Sequence, residues 1–239
     1  LSGTELDNSI GGDIGDDEIY GLGGNDYLSG LDGEDKLYGG AGNDSIDGGW
    51  ANDALYGGDG NDWLSGGLGE DKLYGESGDD ALTDWDGGAL IMDGGDGNDN
   101  ISLSLNYNHA SQVYGGNGND FIYISGSNKA LSGPTIVDAG SGDDTLDIAG
   151  RGNLNVTGGT GLDIFKLHNG GSQESETVIN DFVAGVGGDV LDIKGVLGTS
   201  LNGFSGGNPF GSSQYFSLEQ DGADTLLMFD GDGASGMGS

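Results

Sequence analysis

From Gly12 to Thr83 the chain is eight nine-residue phrases laid end to end without an insertion, and that register limits the folds open to it more than any other property. The sixth residue of each phrase is aspartate: Asp17, Asp26, Asp35, Asp44, Asp53, Asp62, Asp71 and Asp80. The eighth is always aliphatic: Ile19, Leu28, Leu37, Ile46, Leu55, Leu64, Leu73 and Leu82. The first, second and fourth are mostly glycine. One phrase upstream, residues 3–11 form a worn ninth copy, with Asn8 in the aspartate slot and Ile10 in the aliphatic one. A short fixed period of this kind is the signature of a solenoid or array.

Each position has a physical reading. Glycine permits positive φ and close backbone approach, so positions one, two and four spell a turn. Residues seven to nine point out, in and out, which predicts a three-residue strand with its aliphatic side chain buried. One phrase is then a turn plus a short strand, and two phrases close one flattened coil. Stacked coils set equivalent strands about 4.8 Å apart as parallel neighbours. The expected fold is all-β: a parallel β-roll or β-helix solenoid around a thin core of two facing Leu and Ile rows.

Composition then says what the turns must do. The chain has 41 acidic residues against 6 basic ones, a net charge of −35, and 55 glycines among 239 residues. Such a chain stays a disordered polyanion unless something cationic enters it. Stacking places Asp17, Asp35, Asp53 and Asp71 in one column and Asp26, Asp44, Asp62 and Asp80 in the opposite one. Carboxylates at coil spacing repel unless a divalent ion lies between neighbours. Turn carbonyls add the hard oxygens that Ca²⁺ takes, about six to eight at roughly 2.3–2.6 Å, whereas Mg²⁺ holds its water and suits such a site less.

The same composition narrows the partners. Scarce Lys and Arg argue against nucleic acid and against an anionic membrane surface. Without cysteine there are neither disulfides nor thiolate metal sites. No apolar run approaches the length of a membrane span. The opening LSGTELDNSI has no Met and no basic-then-apolar segment, so the chain is expected to be part of a longer protein with no signal peptide in this portion.

After Thr83 the frame loosens, but the motif returns as GGDGNDNIS (94–102), GGNGNDFIY (115–123), AGSGDDTLD (139–147) and GGTGLDIFK (158–166). Asp99, Asp120, Asp144 and Asp163 extend the column that starts at Asp26, while the Asp17 column ends at Asp71. On the stopped side, 104–112 and 125–134 replace the turn with longer loops, and strand signals ALIMD, SQVYG, PTIVD and NLNVT precede the returning motifs. The expected organisation is a regular roll at 1–83, an irregular continuation at 84–167, and a C-terminal β region at 168–239 that caps the open end. In the last, QYFSLEQDGADTLLMFD (214–230) reads as a hairpin turning at Asp221-Gly222.

The phrase GGxGxDxUx resembles the calcium-binding nonapeptide of RTX (repeats-in-toxin, hemolysin-type) proteins. The resemblance covers 3–83 in register, with isolated copies to 166, and implies a parallel β-roll with Ca²⁺ between successive turns of each column. It implies that carbonyls at positions one and three serve one ion, those at two and four the next, and that the aspartate bridges both. The ligands implied at positions one and three are Gly21 and Gly23, Gly30 and Asp32, Gly39 and Ala41, Gly48 and Trp50, Gly57 and Asp59, and Gly66 and Leu68. Gly58 and Gly60 would join Asp62 at the next ion. Three gaps on the short column and seven on the long one would hold up to about ten ions, moving the charge from −35 to about −15. Asn8, Ala51 and Glu76 depart from the pattern.

ETVINDFVAGVGGDVLDI (176–193) reads as strand, turn, strand and is similar to the target region that follows the repeats in type I secreted proteins, matched at Asp181, Phe182, Gly185 and Gly187–Ile193. The resemblance therefore implies a module that folds on calcium after leaving the cell through a type I secretion apparatus, in a secreted, extracellular or cell-surface protein. Nothing in the chain suggests an enzyme of its own. His109 and His168 lie in irregular segments without H-E-x-x-H, no G-x-S-x-G occurs, and GGxGxD lacks the Lys-Ser/Thr ending of a phosphate loop. One outward feature suggests another role. Tyr20, Tyr38, Tyr56 and Tyr74 fall on one sheet face beside Lys36 and Lys72, with Tyr27 and Trp63 on the other face. Such a ladder would bind an acidic polysaccharide, or stack on itself and stabilise the sheet.

Overall fold

The structure, a computed structural model, describes residues 1–84, 91–105, 110–126, 134–149, 153–168, 177–183 and 187–193, and the backbone of 216–221 and 224–229. All regular structure among the described residues is β, and two parallel sheets of ten and nine strands face each other. One sheet begins with β1 (Ser9–Gly11), β3 (Tyr27–Asp32), β5 (Ser45–Trp50), β7 (Trp63–Leu68) and β9 (Ala81–Asp84). The other begins with β2 (Glu18–Gly23), β4 (Lys36–Ala41), β6 (Ala54–Asp59) and β8 (Lys72–Ser77). Each strand pairs with the strand one coil later, so Leu28 lies opposite Ile46 and Leu37 opposite Leu55.

These strands run six residues rather than the three expected, because the first three residues of each following phrase rejoin the ladder. Gly40 opposite Gly58 and Ala41 opposite Asp59 continue the register begun by Leu37 and Leu55. The true turn is only the remaining third of the phrase.

The continuation obeys the same alternation. β10 (Ile91–Asp96), β12 (Gln112–Asn117), β14 (Thr135–Ser141) and β16 (Leu154–Thr157) extend the second sheet, at the four expected strand signals. β11 (Asn100–Ser104), β13 (Phe121–Ser125), β15 (Thr145–Ile148) and β17 (Ile164–His168) extend the first. Both sheets then run on into the 176–193 stretch: β18 (Thr177–Ile179) pairs with β16 and β19 (Val190–Ile193) with β17, both parallel. That stretch thus supplies a further strand to each sheet. Separately, β20 (Phe216–Asp221) and β21 (Asp224–Phe229) form an antiparallel hairpin with Asp221 opposite Asp224. Most of the two long segments at 104–112 and 125–134, His109 among them, together with Gly185 and Gly222, lies outside the described residues.

The position-eight residues from Ile19 to Leu82 are 0–1% exposed, and Met92, Ile101, Val113, Ile122, Val137, Leu146, Val156 and Phe165 prolong them. Up to Thr83 the core is the expected pair of facing rows. Beyond it the first sheet gains a second inward row, Leu103, Ile124 and Ile148, in register with Asp84. On the second sheet, the row that carried the short column's aspartates passes to buried Ser111, Thr135 and Leu154. There the Ser111 amide donates to Thr135 Oγ1 at 3.3 Å. Apolar side chains and a hydrogen-bonded Ser111–Thr135 pair therefore take over where the carboxylates stop, each fully buried apolar one contributing about 1.5–3 kcal/mol.

Candidate metal centre

The two aspartate columns exist as read. Along the short one, the amide of Asp17 donates to Asp35 Oδ1, that of Asp35 to Asp53, and that of Asp53 to Asp71, at 2.7, 2.8 and 2.8 Å. Along the long one, links of 2.7 to 2.8 Å join Asp26, Asp44, Asp62, Asp80, Asp99, Asp120 and Asp144 in turn, and a 3.1 Å link reaches Asp163. The step from Asp120 to Asp144 skips 24 residues yet keeps a 2.7 Å link, so the extra residues fall on the other side of the coil. From Asp26 onward these aspartates are 0–3% exposed, while Asp17 is half-buried.

The second carboxylate oxygen is the informative one. Oδ2 of Asp26, Asp35, Asp44, Asp53, Asp62, Asp71, Asp80, Asp99, Asp120 and Asp144 is buried without a hydrogen-bond partner. For eight of these ten, a carbonyl oxygen of the next turn lies beside it. A Cβ on Gly39 would fall closer than 3.0 Å to both Asp44 Oδ2 and the Gly57 carbonyl oxygen of the next turn. The same geometry sets Gly39 O beside Asp26, Gly48 O beside Asp35, Gly66 O beside Asp53, Gly30 O beside Asp17 and Gly21 O beside Asn8. Position one is therefore glycine for want of space, not for its φ; positive φ belongs to positions two and four, such as Gly40 and Gly42.

The remaining carbonyls complete each gap. Those at positions two and four point toward the next turn: a Cβ on Gly58 would strike Gly40 O, and one on Gly60 would strike Gly42 O. Those at position three point back. Asp32 O accepts from Gly15 N at 2.6 Å, Trp50 O from Gly33 N at 3.2 Å, and Asp59 O from Gly42 N at 2.7 Å. Gly23, Ala41 and Leu68 stand in the same rows. The gap between the 39–44 and 57–62 turns is thus lined by Asp44 Oδ2 and the Gly40 and Gly42 carbonyls on one side, and by the Gly57 and Asp59 carbonyls and Asp62 Oδ1 on the other. All are hard oxygens, and their number falls within the range of about six to eight that Ca²⁺ takes. Among the described residues no three His, Cys, Asp or Glu side chains converge. Backbone carbonyls, not side chains, make up most of each oxygen set.

Electrostatics agree with the geometry. Burial first, and neighbouring carboxylates second, push Asp53 up to about 8, against the opposing amide hydrogen bond to Oδ1. Asp71, Asp80, Asp99 and Asp144 are raised to about 7 and Asp62 to about 6, again with burial as the largest cause. Negative charge is costly here unless a cation offsets it.

The column ends differ. Asp13 N donates to Asp17 Oδ2 at 2.8 Å, so that oxygen has a partner. In the worn first copy, Asn8 Oδ1 takes the Thr4 amide at 2.6 Å while its NH₂ donates to Thr4 Oγ1 at 3.2 Å and to the Leu6 carbonyl. That turn is satisfied by its own carboxamide. At the far end, Asp189 receives the Asp163 amide at 3.1 Å and the Val183 amide at 2.7 Å, and Asp181 receives those of Gly158 and Gly159 at 2.9 and 2.7 Å. Reading 176–193 as a separate region hides this link; its step from Asp163 is longer than any between repeats.

Sequence reasoning also misses a second ladder at position five. Side-chain Oδ1 atoms of Asp7, Asn25, Asn43, Asn61, Asp79, Asn98, Asn119 and Asp143 each accept the amide of the equivalent residue in the next turn. The signal was available, since every second phrase places Asn or Asp there. Leu22, Leu31 and Glu76 at position two and Ala51 at position four hold φ of 75–83° without being glycine, a strain of order 1–3 kcal/mol each. The tyrosines stack at 4.8, 4.8 and 5.1 Å with planes within 10°, so the stack covers every ring face except the two at its ends. Tyr20 also donates to Glu18 Oε1 at 2.6 Å, which lifts its hydroxyl to about 12.

A parallel roll whose turns gather aspartate oxygens and backbone carbonyls is a cation-binding β-solenoid. The particular kind follows from the family comparison: the RTX calcium-binding nonapeptide repeat (4 copies) matches residues 2–37, 11–46, 29–64, 47–82 and 110–125. This chain carries RTX calcium-binding repeats at residues 2–82 and 110–125, a motif known to bind calcium and typical of secreted bacterial proteins. No curated protein and no solved structure matches the chain.

Proposed function

We propose that the chain is a calcium-responsive folding module of a secreted bacterial protein, exported through a type I apparatus while calcium is scarce and folded outside the cell. The observation that carries this reading is the set of ten buried, partnerless Oδ2 atoms, eight of them beside a next-turn backbone carbonyl. Calcium bound there supplies the positive charge that these oxygens lack, so its binding free energy becomes folding free energy. Up to about ten ions would fill the gaps between turns, and catalysis would belong to other parts of the parent protein. The tyrosine row serves as a stabilising stack, because a sugar needs aromatic faces and these rings spend theirs on one another.

The test is circular dichroism of the chelated chain during a calcium titration, with magnesium as control. A cooperative gain of β signal between about 0.1 and 1 mM calcium, the extracellular affinity range, and none with magnesium, is expected. A chain already folded after exhaustive chelation would refute the switch.

A further inference from the structure

The short column does not simply stop. Asp71 is fully buried, its Oδ1 takes the Asp53 amide, and its Oδ2 has no hydrogen-bond partner. In earlier turns a next-turn carbonyl oxygen stands opposite such an atom. Around Gly66 the three nearest atoms that a Cβ would meet all belong to Asp71. What arrives on that side is a side chain. Thr83 pairs with Ser65, which brings Asp84 opposite the position-one Gly66, and Asp84 is 1% exposed. Its charge acts on Asp71 as a neighbouring carboxylate.

Asp84 is also the point where one way of closing the coil gives way to another. In its row the preceding residues are Gly30, Gly48 and Gly66, and the following ones are the apolar Leu103, Ile124 and Ile148. A leucine at 84 would have begun the apolar row one coil earlier. A buried carboxylate set against another buried carboxylate is costly unless a counter-charge or a proton offsets it.

We propose that Asp71 and Asp84 hold a divalent cation at the end of the short column, in a site outside the repeat pattern where the Asp84 carboxylate takes the role of the missing next-turn carbonyls. The Gly67 and Gly69 carbonyls continue the forward-pointing rows of Gly49 and Ala51 and complete the oxygen set. Calcium is the ion these hard oxygens suit. The site rests on the calcium reading of the repeats, and it seals the junction between the ion-closed and apolar-closed parts of the roll.

Native mass spectrometry of the full chain, saturated with calcium, tests this by counting ions on the wild type, Asp84→Asn and Asp84→Leu. Both variants should carry one calcium fewer than the wild type, with the other occupancies unchanged. Equal counts in all three would overturn the site while leaving the repeat sites standing. A wild type that binds no calcium would remove the general reading and this site with it. Should the asparagine variant not fold, the leucine variant, which prolongs the row of Leu103, Ile124 and Ile148, carries the comparison.

Discussion

Protons should partly replace calcium. In the calcium-free roll Asp53 is held at about 8, and Asp71, Asp80, Asp99 and Asp144 at about 7, all above the ordinary value of 3.8. The folded chain then binds protons that the unfolded chain does not, throughout the interval between those values. A raised folded pKa gives stability that is present at low pH and lost as pH rises through the folded value. Going from pH 8 to pH 6, one aspartate held near 7 gains about 1.4 kcal/mol. Neighbours in one column titrate together, so their total falls short of the simple sum. A gain on the order of a few kcal/mol is still large against a domain stability of about 5–15 kcal/mol. Far-UV circular dichroism of the chelated chain should therefore show β signal rising as pH falls from 8 to 6. The calcium midpoint should move to higher calcium over the same interval, because proton and ion compete for Oδ2. A calcium-free signal that stays flat or falls on acidification would refute the reasoning, since it would mean that the second carboxylate oxygens are solvated when calcium is absent.

Three further outcomes follow from single turns. Gly57→Ala puts a methyl against Asp62 Oδ2 and the Gly75 carbonyl; it should remove one calcium and, for a site with a dissociation constant about a tenth of the calcium concentration, about 1.4 kcal/mol of stability. Ala139 already has a methyl at position one, and the Asp144–Asp163 link beside it is 3.1 Å where earlier repeat links are 2.7–2.8 Å, so Ala139→Gly should tighten calcium binding and raise the melting temperature in calcium. Asn8→Asp exchanges the carboxamide that satisfies the first turn for a carboxylate. Native mass spectrometry should count one more ion, and the first coil should lose amide-exchange protection when calcium is removed.

The period carried most of this architecture. A residue that recurs every nine positions and is always aspartate must occupy equivalent places, so both columns, and the survival of the long one through uneven steps, were legible. Strand length was not, because glycine at positions one and two reads as a turn although its backbone pairs as a strand. The reason for glycine at position one was likewise hidden: crowding by Asp44 Oδ2 and Gly57 O around Gly39 is a relation between coils. The second apolar row could have been found. Leu103, Ile124 and Ile148 each lie two residues beyond an inward position, on the same face by strand alternation, but Leu103 and Ile124 directly precede the expected loops.

That row bears on how far calcium governs each part of the roll. Between Gly12 and Thr83 both sides of every coil close through carboxylate turns, and the core between them is one aliphatic residue per strand. Without cations only the amide hydrogen bonds to Oδ1 oppose the repulsion on either side. From Asp84 onward only the long column keeps its aspartates, and the other side closes through Leu103, Ile124, Ile148 and Leu154, whose burial owes nothing to an ion. If calcium folds the chain as proposed, its dependence on calcium should therefore grade along the roll, strongest where the repeats are most regular. The regularity that makes the first part easy to read is the same property that leaves it least able to fold alone.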